Sequence, residues 1–252
     1  MAKATLETLF SHTADAYRKN VKLILFFSIP FLIAFPLASL LPTFVSAGGI
    51  FLRFQSIPGD LDPIQLALIS AAYLVSLLLA SFAVASINIV VRSQRTLSKL
   101  TQYEVERIEH ATFRLFSLLL LSTVLILGAN LFFLDASFKM GASIVPLQPI
   151  LGSLVALVVS LVILFAPQAI AVDDASMSKA VLRSLGMYRH RPRFFVFFIF
   201  LAALLLLAND LFFLTFGGNH ARILTLAANA LIFVPFLEVF KVQIYLSKYT
   251  LI

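Results

Sequence analysis

The chain has 252 residues, of which 61% are hydrophobic and only 12% charged, with a formal net charge of +7. A soluble domain of this length carries roughly twice that charged fraction, so composition excludes an ordinary soluble fold and points to a polytopic membrane protein. The absence of cysteine excludes disulfides, thiolate metal sites and a cysteine nucleophile, and the positive charge is read as membrane topology and contact with anionic headgroups rather than as nucleic-acid binding.

Inside lipid every backbone polar group must be paired within the protein, so the spans are helices or strands of a closed barrel. Barrel strands alternate apolar and polar residues, and the run Leu115 to Leu127 does not. The expected fold class is therefore all-α, with six transmembrane helices.

Residues 3–20 contain acids and lack an apolar core, so they are not a signal peptide. Leu6, Leu9, Phe10 and Tyr17 recur there at helical spacing, which predicts a helix lying in the membrane interface. Span 1 is expected over about 22–46 as a retained crossing, although the ending Phe44-Val-Ser-Ala-Gly-Gly mimics a cleavage site. Pro30, Pro36 and Pro42 each delete a backbone donor, which predicts a kinked or partly broken helix. A polar loop with turn signals at Pro58-Gly59-Asp60 and Asp62-Pro63 follows over 47–63.

Span 2 is expected over about 64–91, then a charged segment over 92–112 whose Leu97, Leu100, Val105 and Ile108 predict a second surface helix. Span 3 follows over about 113–134 and span 4 over about 147–172, with Pro167 inside it. A third surface helix is expected over 173–192, with Asp174 as its N-cap. Span 5 covers about 193–216, and the Gly217-Gly218-Asn219-His220 turn leads to span 6, about 222–246, containing Pro235.

Lysine and arginine number 16 in one alternating set of connecting segments and 3 in the other. The positive-inside rule then puts both termini and the three amphipathic helices in the cytoplasm, and the chain in the cell membrane. Tyr17, Tyr103, Tyr188, Tyr245 and Tyr249 fall on that same side, as an interfacial aromatic belt would.

The sequence also repeats itself. Arg114-LFSLLLLSTVLILGANLFFL matches Arg193-FFVFFIFLAALLLLANDLFFL apart from the inserted Asp210, and Phe165-Ala-Pro167 recurs as Phe233-Val-Pro235. Val75-SLLLASFAVASINIVV likewise resembles Val159-SLVILFAPQAIAVDD. The period of about 80 residues divides one membrane domain, 1–252, into three hairpin units of about 3–91, 92–172 and 173–248. Each unit is a cytoplasmic amphipathic helix followed by two spans. The units run parallel, whereas many secondary transporters use inverted repeats.

At FAPQAIAVDDASMSKAVLRSLGMYRHRP and PFLEVFKVQIYLS the chain resembles a broad group of six-span prokaryotic membrane proteins, many of them archaeal. The group is related to the membrane domain attached to some glycerophosphodiester phosphodiesterases. The phosphodiesterase active site of those proteins lies in a separate soluble domain that this chain lacks. The resemblance implies a fold and a location, and no activity.

Candidate chemistry is sparse. Glu106, Glu109 and His110 form the one carboxylate–histidine cluster. Glu106 and His110, four apart, share a helix face as metal ligands can, yet nothing identifies a further ligand and a solvated helix face accounts for them. No HExxH, GxSxG or GxxxxGK[ST] pattern occurs, so no catalytic residue, metal or cofactor is assigned and the chain is read as non-enzymatic.

Asp210 lies about 25 Å along span 5 at 1.5 Å per residue, level with Asn209 and with Asn130 of span 3. Acids within a membrane are costly and often functional, although near the outer boundary Asp210 is also within reach of water, Arg222 or His220. Glu238 in span 6 precedes Lys241 by three residues, which suits an interfacial ion pair or a headgroup contact. Asn88, Gln168 and Asn229 are expected to hydrogen-bond between helices. Arg183, Arg189, Arg191 and Arg193, with Tyr188 and His190, form a basic aromatic cluster suited to anionic headgroups. Two functions follow: a scaffold, accessory or lipid-interacting module with membrane lipids and other membrane proteins as partners, or a small-solute or lipid transporter with a site near Asp210.

Overall fold

The computed structural model describes residues 6–39, 63–92, 100–140, 147–216 and 218–249. Ten α-helices occur among them: α1 (Leu6–Lys19), α2 (Val21–Ser39), α3 (Pro63–Arg92), α4 (Gln102–Met140), α5 (Leu147–Ile163), α6 (Ala166–Asp173), α7 (Met177–His190), α8 (Pro192–Phe216), α9 (Gly218–Ala228) and α10 (Val234–Leu246). A π-helical turn, Asn229–Phe233, joins α9 to α10, and a 3₁₀ turn, Ser247–Tyr249, follows. Six stretches are long and apolar enough to cross a membrane: Val21–Ala38, Ala67–Arg92, Gln102–Asn130, Leu151–Asp173, Pro192–Asn209 and Ala221–Tyr249. The chain is an all-α, multi-pass membrane protein. The loop 47–62, the residues 93–99, Pro42 and Gly217 lie outside the described residues.

Proline acts differently in different spans. The helix α2 runs on through Pro30 and Pro36 instead of breaking. Its neighbour α3 packs along it, and Ser76 donates to the carbonyl of Ala34 at 2.7 Å, a hydrogen bond that ties the two spans together. Span 4, by contrast, stops at Ile163, turns through Leu164 and Phe165, and restarts as α6 with Pro167 in its first turn. Span 6 opens into the π turn just before Pro235.

Two further expectations change. The second surface helix is no separate element: from Gln102 onward it continues into span 3 as one helix of 39 residues. No proline or glycine stands between Gln102 and Leu127 to stop it, and Thr101 and Glu104 form a capping box at its start. The Thr101 N–H donates to Glu104 Oε2 at 2.8 Å, and the Glu104 N–H donates to Thr101 Oγ1 at 3.3 Å. Nor is Asp174 an N-cap. It takes φ 52°, a left-handed conformation that ends α6, and Ser176 occupies the N-cap position of α7. The left-handed turn lets the N–H groups of Asp174 and Ala175 both reach the carbonyl of Ala169, which satisfies a helix end.

The core lies where the C-terminal ends of α3, α6 and α10 meet. Small residues allow their backbones to approach: Ala83, Ala85, Ala166, Ala169 and Ala171 are fully buried. Phe165, Phe198 and Phe240 fill the space around them, with Phe198 stacked on Phe240 at 6.4 Å. Leu9, Thr13 and Ala16 of α1 are buried, and Phe10 and Tyr17 lie edge-on to Phe236 of α10 at 6.0 and 6.1 Å. From α7, Ala180, Ser184 and Met187 are buried.

Candidate functional site: a buried polar centre and the clamp beside it

Each of the spans 2, 4 and 6 carries one hydrogen-bonding side chain into this packed junction. Asn88 comes from α3, Gln168 from the first turn of α6, and Glu238 from the first turns of α10, joined by Lys241. Asn88 and Gln168 have no exposure, and Glu238 and Lys241 retain 7% and 5%. The Gln168 amide donates to Glu238 Oε2 at 3.0 Å and to Asn88 Oδ1 at 3.3 Å. Lys241 Nζ lies 2.6 Å from Glu238 Oε1.

The carboxylate sets the direction of this chain. It accepts only, so Gln168 must turn its NH₂ toward Glu238, and Asn88 must then turn its oxygen toward Gln168. Lys241 cancels the charge that Glu238 would bring into a low-dielectric interior. The arrangement leaves Asn88 Nδ2 and Gln168 Oε1 buried without a hydrogen-bond partner. The three spans are thus cross-linked by polar groups that have few alternatives once water is excluded.

A second constellation closes the same end. Asp173, at the end of α6, accepts from Tyr245 at 2.6 Å, Lys248 at 2.9 Å and Arg183 at 2.6 Å through Oδ2, and from Tyr249 at 2.8 Å through Oδ1. The Lys248 ammonium also sits 3.5 Å from the Tyr245 ring centroid, a cation–π contact. Arg107 of α4 donates to the carbonyls of Ala171 and Val172 at 3.0 and 2.9 Å, taking up orphan acceptors in the last turn of α6. Arg114 pairs with Asp174, and Arg191 donates to the carbonyl of Ser247 at 2.9 Å.

The residues singled out in the sequence therefore divide. Glu238 is in the polar centre with Asn88 and Gln168, a convergence that sequence spacing does not reveal. Asn130 is buried elsewhere: its amide donates to its own helix at Ile126 O, 2.8 Å, and its carboxamide lies so close to Gly152 of α5 that a Cβ there would overlap it. Asn209 accepts from Asn229 at 3.0 Å, joining α8 to the π turn. The side chains of Asp210 and His220 lie outside the described residues. Arg183 and Arg191 are engaged in the contacts above, whereas Arg189 and Arg193 are exposed and make no ion pair among the described residues. Glu106 accepts from Gln102 at 3.2 Å on an exposed helix face, and no group of three or more metal-ligating residues occurs among the described residues.

Sequence reasoning missed the Thr101–Glu104 capping box, a readable T-x-x-E pattern, and the role of Asp173. Searches of protein-family descriptions, of curated proteins and of solved structures find no match to this chain.

Proposed function

We propose that the chain is a non-catalytic module of the cell membrane whose basic face holds anionic lipid headgroups, with both termini in the cytoplasm. The observation that carries this reading is a division of labour among the arginines. Arg107, Arg114, Arg183 and Arg191 are spent on contacts within the protein. Arg189, on the helix face of the exposed Leu182 and Leu185 of α7, and Arg193, at the start of α8, are left exposed. Apolar side chains beside unpaired guanidinium groups suit the boundary between acyl chains and phosphates. The strong imbalance of basic residues between alternate connections agrees with such an orientation.

The test uses the full chain in nanodiscs with a known ratio of phosphatidylglycerol to phosphatidylcholine. Each basic residue at an anionic surface contributes about 1 kcal/mol, so the double variant R189Q/R193Q should lose roughly tenfold or more in preference for the anionic lipid. An unchanged preference discards the reading. Because the chain lacks cysteine, single cysteines placed at His190 and Asn219 report topology directly. Labelling by an impermeant maleimide from opposite sides is expected, and labelling from the same side refutes the orientation.

One observation favours a second reading, a transporter of a small solute or lipid. Span 4 is interrupted beside Gln168 and span 6 carries a π turn shortly before Glu238, and irregular helices next to polar residues are how many transporters build their sites. Under that reading a cysteine at Gln168 reacts with a water-borne reagent. Under the lipid-module reading it stays inert.

A further inference from the structure

Spans 4 and 6 each depart from regular α-helix just before a proline, and each has a lost rung completed by a helix outside the span. Pro235 has no N–H, so the carbonyl four residues earlier, at Leu231, loses its α-helical donor. The hydroxyl of Tyr17 on α1 donates to that carbonyl at 3.3 Å. In span 4 Pro167 takes the α-helical donor from the Ile163 carbonyl, and the rung supplied from outside is a neighbouring one, lost at the Leu164–Phe165 turn between the Phe165 N–H and the Leu161 carbonyl. Both halves are taken over by α7: the Phe165 N–H donates to Ser184 Oγ at 3.1 Å, and the hydroxyl of Tyr188 donates to the Leu161 carbonyl, which also accepts from the Leu164 N–H at 3.1 Å. Ser184 and Tyr188, four apart, share the helix face this requires.

The repeat carries the same pattern. Tyr17-Arg18-Lys19-Asn20 precedes α2 as Tyr188-Arg189-His190-Arg191 precedes α8. In the middle unit the position equivalent to Tyr188 is Glu109, and span 2 has Val84 where spans 4 and 6 have proline. Span 2 is accordingly one unbroken helix. Tyrosine and proline are present together twice and missing together once. In both cases the surface helix of one unit serves the even-numbered span of another, α7 that of the preceding unit and α1 that of the last.

We propose that Tyr17 and Tyr188 are positioning residues that complete the proline-broken spans 6 and 4, so that the seating of α1 and α7 sets the bend of each span and with it the pose of Glu238 and Gln168. Gln168 directly follows Pro167, and Glu238 lies three residues beyond Pro235, so a change of bend moves the polar centre first. Burial raises the pKa of both tyrosines, that of Tyr188 to about 12, so both hydroxyls stay protonated and able to donate at any working pH. This inference does not depend on whether the basic face binds lipid.

The test is a double-mutant cycle on the full chain in nanodiscs, read by hydrogen exchange over 227–238 and 160–170. Y17F should speed exchange over 227–238 by about threefold, the scale of an average interhelical hydrogen bond in a membrane protein, and leave 160–170 unchanged. P235A returns an N–H to the Leu231 carbonyl, so in that background Y17F should change little. Equal effects of Y17F in both backgrounds overturn the proposal. If P235A does not fold, Y188F decides: faster exchange confined to 160–170 supports the proposal, and a rise spread evenly along the chain, or none, overturns it.

Discussion

The two ends of the bundle are built on different principles. At the basic end α3, α6 and α10 converge, their small residues have no exposure, and arginines from α4 and α7 hold the last turns of spans 4 and 6. Toward the opposite end the packing is partial: Tyr73, Leu77, Ile126 and Ala156 of α3, α4 and α5 form a small buried cluster of their own, beside a Tyr73–Thr123 hydrogen bond at 2.9 Å. There α5 packs on α4 and α8 packs on α9, with no extensive packing between α5 and α8 among the described residues. Span 5 has the smallest buried share of the six. Its Phe200, Leu204 and Leu207 and the Leu154 and Val158 of α5 are exposed, as side chains that meet lipid are. Without water, apolar side chains gain little by leaving lipid for each other, so specific attachment falls to close backbone approach and polar cross-links. The ion pairs among the described residues lie at the basic end.

The largest expected effect tests that concentration. Glu238→Ala strands the Lys241 ammonium in the packed core and should cost about 3–5 kcal/mol, while replacing Lys241 by Met as well should recover much of the loss. Unfolding of the detergent-solubilised chain, followed by circular dichroism, measures both, and a mild effect of the single variant would show that the junction admits water. Asp173→Asn removes a charge that four donors share, and a loss of about 2 kcal/mol is expected on the same assay. Asn209→Ala, which cuts the one hydrogen bond described between α8 and the π turn, should cost only about 0.6 kcal/mol. A loss as large as that of Asp173→Asn would erase the contrast between the ends. Arg114→Gln should matter least, at about 0–1 kcal/mol, because that pair is substantially exposed.

Much of this architecture could be read in the residues. Apolar runs long enough to cross a bilayer, without the alternation of a barrel strand, mark the six candidate spans. The polar centre could not be read in the same way. Asn88 and Gln168 were recognisable as interhelical hydrogen-bonding groups and Glu238 as an interfacial partner of Lys241, but helical periodicity says which face of a helix is internal and not which other helix it meets. The misplaced N-cap at Asp174 has a similar origin: aspartate suits both the start of a helix and a left-handed residue ending one. Proline was equally ambiguous, since Pro30 and Pro36 lie within a continuous helix while Pro167 and Pro235 follow irregular turns. What separates the cases is the surrounding packing, which no local pattern encodes.

The length of α4 has a mechanical consequence. Its 39 residues amount to about 58 Å of rod at 1.5 Å each, against roughly 30 Å of hydrocarbon. Even tilted, such a rod must stand clear of the bilayer, and it contains a single glycine, Gly128, and no proline. Arg107 and Arg114 bolt it near one end to span 4, so it is fixed like a mast at its foot. A push on the exposed residues near Tyr103 is carried through the membrane by a beam with no joint, and arrives at Asn130 as a displacement instead of being absorbed as bending.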